Sequence, residues 1–167
     1  MIVGLGGISQ EKDMSYEEAL QAAGAEVMEF EQFGSYQGDW WAKVRYKGEL
    51  GWAQGSYGSC SGCDAFAAEF GLAEGDCVEH AYNHKDDCLE CQEVKKKYAE
   101  KLADFGRGYL GGLLTQEKAE EEAARNLDWD SEAQAMLDWL RTHSWAANVL
   151  VQGRETRSGE ASAGTAG

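Results

Sequence analysis

Cys60-Ser61-Gly62-Cys63 and Cys88-Leu89-Glu90-Cys91 are two Cys-x-x-Cys pairs separated by 24 residues, and Cys77-Val78-Glu79-His80 lies between them. The stretch holds all five cysteines of the chain. Two thiolates at this spacing deliver two bonds from one turn of chain, and two such turns complete a tetrahedron around zinc. The separation is a little longer than the roughly 15–20 residues of the usual paired-knuckle zinc pattern. The spacing predicts a closed Zn2+ site on Cys60, Cys63, Cys88 and Cys91, with Cys77 or His80 as alternates from the intervening segment. Four protein ligands leave no open coordination position, so such an ion is structural, tying the first half of the chain to the second.

Downstream of the second pair the pattern is helical. Cys88, Cys91, Val94, Tyr98, Leu102 and Phe105 recur every three or four residues, the signature of an amphipathic helix with its apolar stripe toward a core. Asp86 and Asp87 suit the positive end of its dipole. Gly106-Arg107-Gly108-Tyr109-Leu110-Gly111-Gly112 is expected to break the helix. Thr115 then caps an acidic helix running to about Leu127, with Ala119, Ala123 and Leu127 on one face. Ser131 and Gln134 form a second capping box ahead of a last helix that buries Ala133, Met136, Leu137 and Leu140. Those two helices read as an antiparallel hairpin over 113–146, and 147–167 as a flexible tail of small residues.

Upstream of the first pair the period changes. Residues 1–14 carry no periodic signal. Ser15-Tyr16-Glu17-Glu18 is a capping box for a short helix that Gly24 ends, which makes 1–24 an arm plus helix. Residues 25–58 alternate as strands. Met28 and Phe30 oppose Glu29 and Glu31. Trp40, Ala42, Val44 and Tyr46 oppose Trp41, Lys43, Arg45 and Lys47, a half-buried strand with a cationic outer row. For the turn at Lys47-Gly48, a two-residue loop would pair Lys43 with Trp52 and Val44 with Gly51, mixing the faces. A three-residue loop pairs Arg45 with Glu49, Val44 with Leu50 and Ala42 with Trp52, and keeps one face apolar, so it is the expected register. Trp40 and Trp52 are then core residues. Asp64 caps a short helix from Ala65 to Phe70. The fold class that follows is α+β: a small antiparallel sheet, a zinc-binding segment with a long helix over 59–112, and about three C-terminal helices.

The run from Gly38-Asp39-Trp40-Trp41 through Lys43-Val44-Arg45-Tyr46-Lys47-Gly48 to Gly51-Trp52 and Tyr57 resembles the second half of a bacterial Src-homology-three-like (SH3b-type) module. The resemblance covers residues 25–58 and implies an SH3-like meander that binds peptides or cell wall and does no chemistry. Extended through Cys60 and Cys63 to Phe66, the segment also looks like uncharacterised phage and prophage accessory proteins.

Charge narrows the function. The chain carries 30 acidic residues against 15 Lys and Arg, a formal net charge of −15 over 167 residues. Phosphate backbones and anionic membranes would repel it. No export signal or run of about 18 apolar residues is visible, so the expected compartment is the reducing cytoplasm of a host cell, where paired cysteines are metal ligands more often than disulfides. Residues 64–93 hold nine acidic residues against one lysine, and 115–138 hold eight against Lys118 and Arg125. Glu117, Glu120, Glu121, Glu122, Asp128 and Asp130 form the expected partner-binding face. Its expected partner is a basic protein surface such as the nucleic-acid groove of a host CRISPR nuclease, by analogy with anti-CRISPR inhibitors. Catalysis is not expected. A deaminase needs His-x-Glu and Pro-Cys-x-x-Cys, the glycine run lacks a phosphate loop's Lys-Ser/Thr, and Gly-x-Ser-x-Gly is absent. The alternatives are a thiol redox enzyme using Cys60 and Cys63, and a peptide adaptor gripping through Tyr36, Trp41 and Tyr57.

Overall fold

A computed structural model describes residues 15–59, 62–70, 88–125, 127 and 131–145. The chain divides into two compact units, Met1–Leu113 and Leu114–Gly167. The first holds helix α1 (Ser15–Ala22), strands β1 (Glu26–Gly34), β2 (Gly38–Tyr46) and β3 (Glu49–Tyr57), and helices α2 (Ala65–Phe70) and α3 (Leu89–Leu110). The second holds α4 (Gln116–Ala124) and α5 (Ala133–Thr142). The architecture is α+β, and the sheet is an antiparallel meander in the order β1-β2-β3.

The register of the β2–β3 hairpin differs from the expected one. Tyr46 pairs with Glu49, Val44 with Gly51 and Lys43 with Trp52, so the loop is the two residues Lys47 and Gly48. Both have positive φ, 51° and 83°, the mark of the type I′ turn whose twist matches that of the flanking strands. The expectation failed because it assumed one apolar face and one wet one. The central strand is instead buried on both sides: Trp40, Ala42 and Val44 are fully enclosed, and so are Trp41 and Lys43, each 1% exposed. With two dry faces, hydrophobic alternation no longer chooses a register, and the turn chemistry does. There is accordingly no cationic outer row on β2, since only Arg45 is exposed on that strand, where it pairs with Glu26 at 2.7 Å.

Strand β1 carries a second irregularity. Val27 pairs with Val44 and Phe30 with Ala42, so three steps on β1 match two on β2. The extra residue is a bulge at Met28. It turns Val27 and Phe30 to the same core face and leaves Met28 39% exposed, where simple alternation had put Met28 with Phe30.

The first face of the sheet packs on α1 and α3. Its core joins Tyr16, Leu20, Ala25, Trp40, Ala42, Val44, Ala53 and Leu110, flanked by Phe30, Phe66, Phe105 and Tyr109. The rings touch edge to face and offset. Trp40 lies 5.0 Å from Tyr109 and 5.7 Å from Phe30, and Phe66 lies 5.5 Å from Phe105. Such pairs add roughly 0.5–1.5 kcal/mol each beyond their buried area.

Helix α3 runs through Gly106 and Gly108 and stops at Gly111; the expected break at Gly106 does not occur. Gly106 is buried where α3 meets α1, and a Cβ there would fall inside contact distance of the Ala19 carbonyl and 3.0 Å from Leu20 N. The glycine lets two helix backbones touch, and packing repays its poor helix propensity.

In the second unit Thr115 caps α4 through its side chain, 3.4 Å from Lys118 N. α4 and α5 are antiparallel: Gln116, at the start of α4, donates to the carbonyl of Leu140, near the end of α5, at 3.0 Å. Ala119 and Ala123 are buried on α4, and Ala133, Met136, Leu137 and Leu140 on α5. Two expectations are corrected. The cap of α5 is Glu132, without a side-chain cap bond, and Gln134 reaches forward to Asp138 rather than back to Ser131. α4 ends at Ala124, and Leu127 is 40% exposed.

Gly106→Ala and Gly108→Ala separate the two roles of glycine in α3. Helix propensity favours alanine at either site by roughly 1 kcal/mol. At Gly108 nothing lies within 4 Å of the new methyl, so stability should rise by about 0.5–1 kcal/mol. At Gly106 the backbone clash exceeds that gain, and urea denaturation should show a net loss of about 1–2 kcal/mol.

Candidate metal centre and acidic face

Of the first cysteine pair, Cys63 lies exposed between β3 and α2; Cys60 lies outside the described residues. Asp64 follows at once and is only 9% exposed. Its Oδ1 accepts from Ala67 N at 2.7 Å, capping α2 as the sequence predicts. Oδ2 accepts from Gly58 N at 2.9 Å, and the Tyr16 hydroxyl donates to Oδ1 at 3.1 Å. The Tyr16 oxygen in turn accepts from Phe66 N at 3.2 Å and lies 3.3 Å from the Ser56 carbonyl. Burial chiefly, with the Asp64 carboxylate adding to it, pushes the Tyr16 hydroxyl well above the usual tyrosine range. It therefore stays a neutral donor. Burial likewise raises Tyr109, with Asp64 again contributing.

The second pair opens α3. Cys88 is its N-cap, with extended backbone (φ −87°, ψ 118°) and no side-chain cap bond. Cys91 is in the first turn and fully buried. Both residues belong to the N-terminal turn of α3, where the helix dipole favours thiolate. That donor set fits a soft, thiolate-binding ion. Among the described residues, no group of three or more His, Cys, Asp or Glu side chains is placed to hold a metal ion. Cys63, Cys88 and Cys91 are described and form no such group; Cys60, Cys77 and His80 lie outside the described residues. Asp86 and Asp87 lie outside them as well.

The acidic face in the second unit is partly engaged. Glu120 accepts from Arg141 Nε at 3.0 Å and from Gln116 at 2.9 Å. The Gln116 hydrogen bond, with Arg141 adding to it, holds its carboxyl below the usual range. Glu122 pairs with Arg125 at 2.9 Å. Glu117 and Glu121 are exposed on α4. Asp128 and Asp130 lie outside the described residues. Spacing alone treated the glutamates as equivalent. The signal that sorts them is Arg141, 21 residues further on, which only the antiparallel hairpin brings alongside Glu120.

The aromatic grip imagined for the sheet does not stand as drawn. Tyr36 is 82% exposed, but Trp41 is 1% exposed and Tyr57 donates its hydroxyl to the Phe33 carbonyl at 3.1 Å. The sequence reading also missed a buried lysine. Lys43 stands between Trp52 on β3 and Glu29 on β1. Burial lowers its pKa, and Glu29 opposes that shift.

No family model matches this chain, and no curated protein or solved structure matches it. Among the described residues, no helix is long and apolar enough to cross a membrane.

Lys43 yields a signed pH prediction. A lysine whose folded pKa lies below its ordinary value penalises the folded state while protonated, and the penalty is relieved as pH rises through the lowered value toward 10.5. Lys43→Met removes this titration, so the parent should gain stability relative to the variant as pH rises through the lowered pKa. Denaturation of both proteins at pH 7, 9 and 10 checks that trend.

Proposed function

We propose that this is a non-catalytic, zinc-stabilised acidic binding protein. Its carboxylate face would occupy a basic nucleic-acid groove of a host protein, in the manner of a phage or mobile-element inhibitor of a CRISPR nuclease in the host cytoplasm. The observation that carries the reading is the pair Glu117 and Glu121, exposed on α4 of a chain with net charge −15. Residues four apart share a helix face about 6 Å apart along the axis, so these carboxylates present a short row of negative charge. Potentials of that sign steer association with basic grooves and compete with nucleic acid for them. The meander, read as SH3-like, serves as scaffold rather than peptide grip, because its indoles are buried. Zinc, if held by the four cysteines, supplies structure and no chemistry: thiolates fill every coordination position.

Charge reversal tests the binding face. Glu117→Lys with Glu121→Lys should weaken capture of basic nucleic-acid-binding proteins from nuclease-treated host lysate by about tenfold or more, or about 1.4 kcal/mol. The residual binding should be less sensitive to salt. Undiminished capture by the double variant would overturn the proposal. Elemental analysis of the reduced, purified chain should return one zinc per molecule, and a folded, metal-free protein would overturn that part alone.

A further inference from the structure

We infer that the loop between β1 and β2 is a contact for an arginine-bearing protein surface, with Tyr36 as its anchor; the inference rests on the basic partner proposed above. Tyr36 is 82% exposed, more than any other large hydrophobic side chain among the described residues. It stands at the apex of the hairpin, in the loop Ser35-Tyr36-Gln37 that the paired Gly34 and Gly38 close. The neck below it is braced. A Cβ on Gly34 would fall inside contact distance of the Gln37 carbonyl, and one on Gly38 inside that of the Phe33 carbonyl, so the two glycines let backbone close on backbone. The Tyr57 hydroxyl ties the Phe33 carbonyl to β3 at 3.1 Å, and the Ser56 hydroxyl ties Asp39 to it at 2.6 Å. Both arms of the hairpin are thus held by the third strand just below the loop. At its exposure the Tyr36 ring contributes nothing to the core, so this bracing holds up a side chain that the fold does not bury.

The materials are those of an antibody paratope. A tyrosine among glycine and serine offers a large amphipathic ring at little entropic cost, and small neighbours leave it room to enter a partner. A braced loop also spares the ordering cost of binding. Charge selects the occupant. The charged residues nearest the apex along the two strands, Glu31 and Asp39, are both acidic, in a chain of net charge −15. An aromatic face beside carboxylates suits a cation, and arginine above lysine: its guanidinium plane stacks on the ring while its N–H groups reach carboxylate oxygens. A nucleobase would stack as well, but its phosphates would be repelled.

An arginine-only peptide and a lysine-only peptide of equal length, titrated calorimetrically into the full-length protein, test this. The parent should prefer the arginine peptide. Tyr36→Ala should bind that peptide about two- to fivefold more weakly and change its affinity for the lysine peptide by less. Tyr36→Trp should keep the preference, because an indole face holds a cation at least as well. Glu117→Lys with Glu121→Lys should weaken both peptides, since it acts through charge. If Tyr36→Ala binds both peptides as the parent does, or loses both equally, this inference is overturned, and losses in the charge-reversal variant would still leave the acidic face standing. A parent protein that binds neither peptide would overturn both.

Discussion

The hydroxyl of Tyr16 is the point at which the first unit is pinned together. One side chain on α1 meets the last turn of β3 through Ser56, the cap of α2 through Asp64, and the first turn of α2 through Phe66 N. Its ring lies 5.3 Å from Trp40, 5.7 Å from Phe66 and 5.9 Å from Phe105. A buried carboxylate without donors would cost several kcal/mol, yet Asp64 accepts from two backbone amides and this hydroxyl. Each partner therefore removes the other's desolvation penalty. Neither can be lost singly without stranding the rest, which is why the junction of three elements has one geometry.

That pin explains which features were legible. Local signals were reliable wherever the partner lay within a few residues. Asp64 capping α2, Thr115 capping α4, Gly24 ending α1 and the apolar stripe of α5 all read directly from the sequence. Three of the failures share one cause, a partner distant in sequence. Gly106 reads as a break until α1 is laid across it. Lys43 reads as a surface cation until both faces of β2 prove buried. Glu120 reads as one of several equal acids until Arg141 arrives beside it. Ser131-x-x-Gln134 has the letters of a capping box, but the helix starts one residue later and Gln134 finds Asp138.

Of the candidate metal centre, the second pair was the better read. The 3–4 period placed Cys91 on the buried face of α3, and it is buried. What spacing could not supply was the Tyr16–Asp64 contact beside the first pair, between residues 48 apart in sequence. The indole nitrogen of Trp40 is the counterexample to such economy. It is buried among the described residues with no hydrogen-bond partner, beside the bare backbone of Gly55. The ring is held by shape and aromatic contact alone, which area burial can sustain against a lost bond of roughly 1–3 kcal/mol.

The carboxylates of α4 divide by what they do for the helix. Glu120 and Glu122 stabilise it, one through Arg141 across the hairpin and one through Arg125 along it. Glu117 benefits from the positive N-terminal end, but with Glu121 it forms a like-charged i,i+4 pair that costs a few tenths of a kcal/mol. A helix built only for stability would put a lysine at one of the two, as α3 does with Lys96 and Glu100. The second unit instead keeps Glu117 and Glu121 exposed on one helix face. Exposed charge of one sign holds like-charged molecules apart and draws in surfaces of the opposite sign.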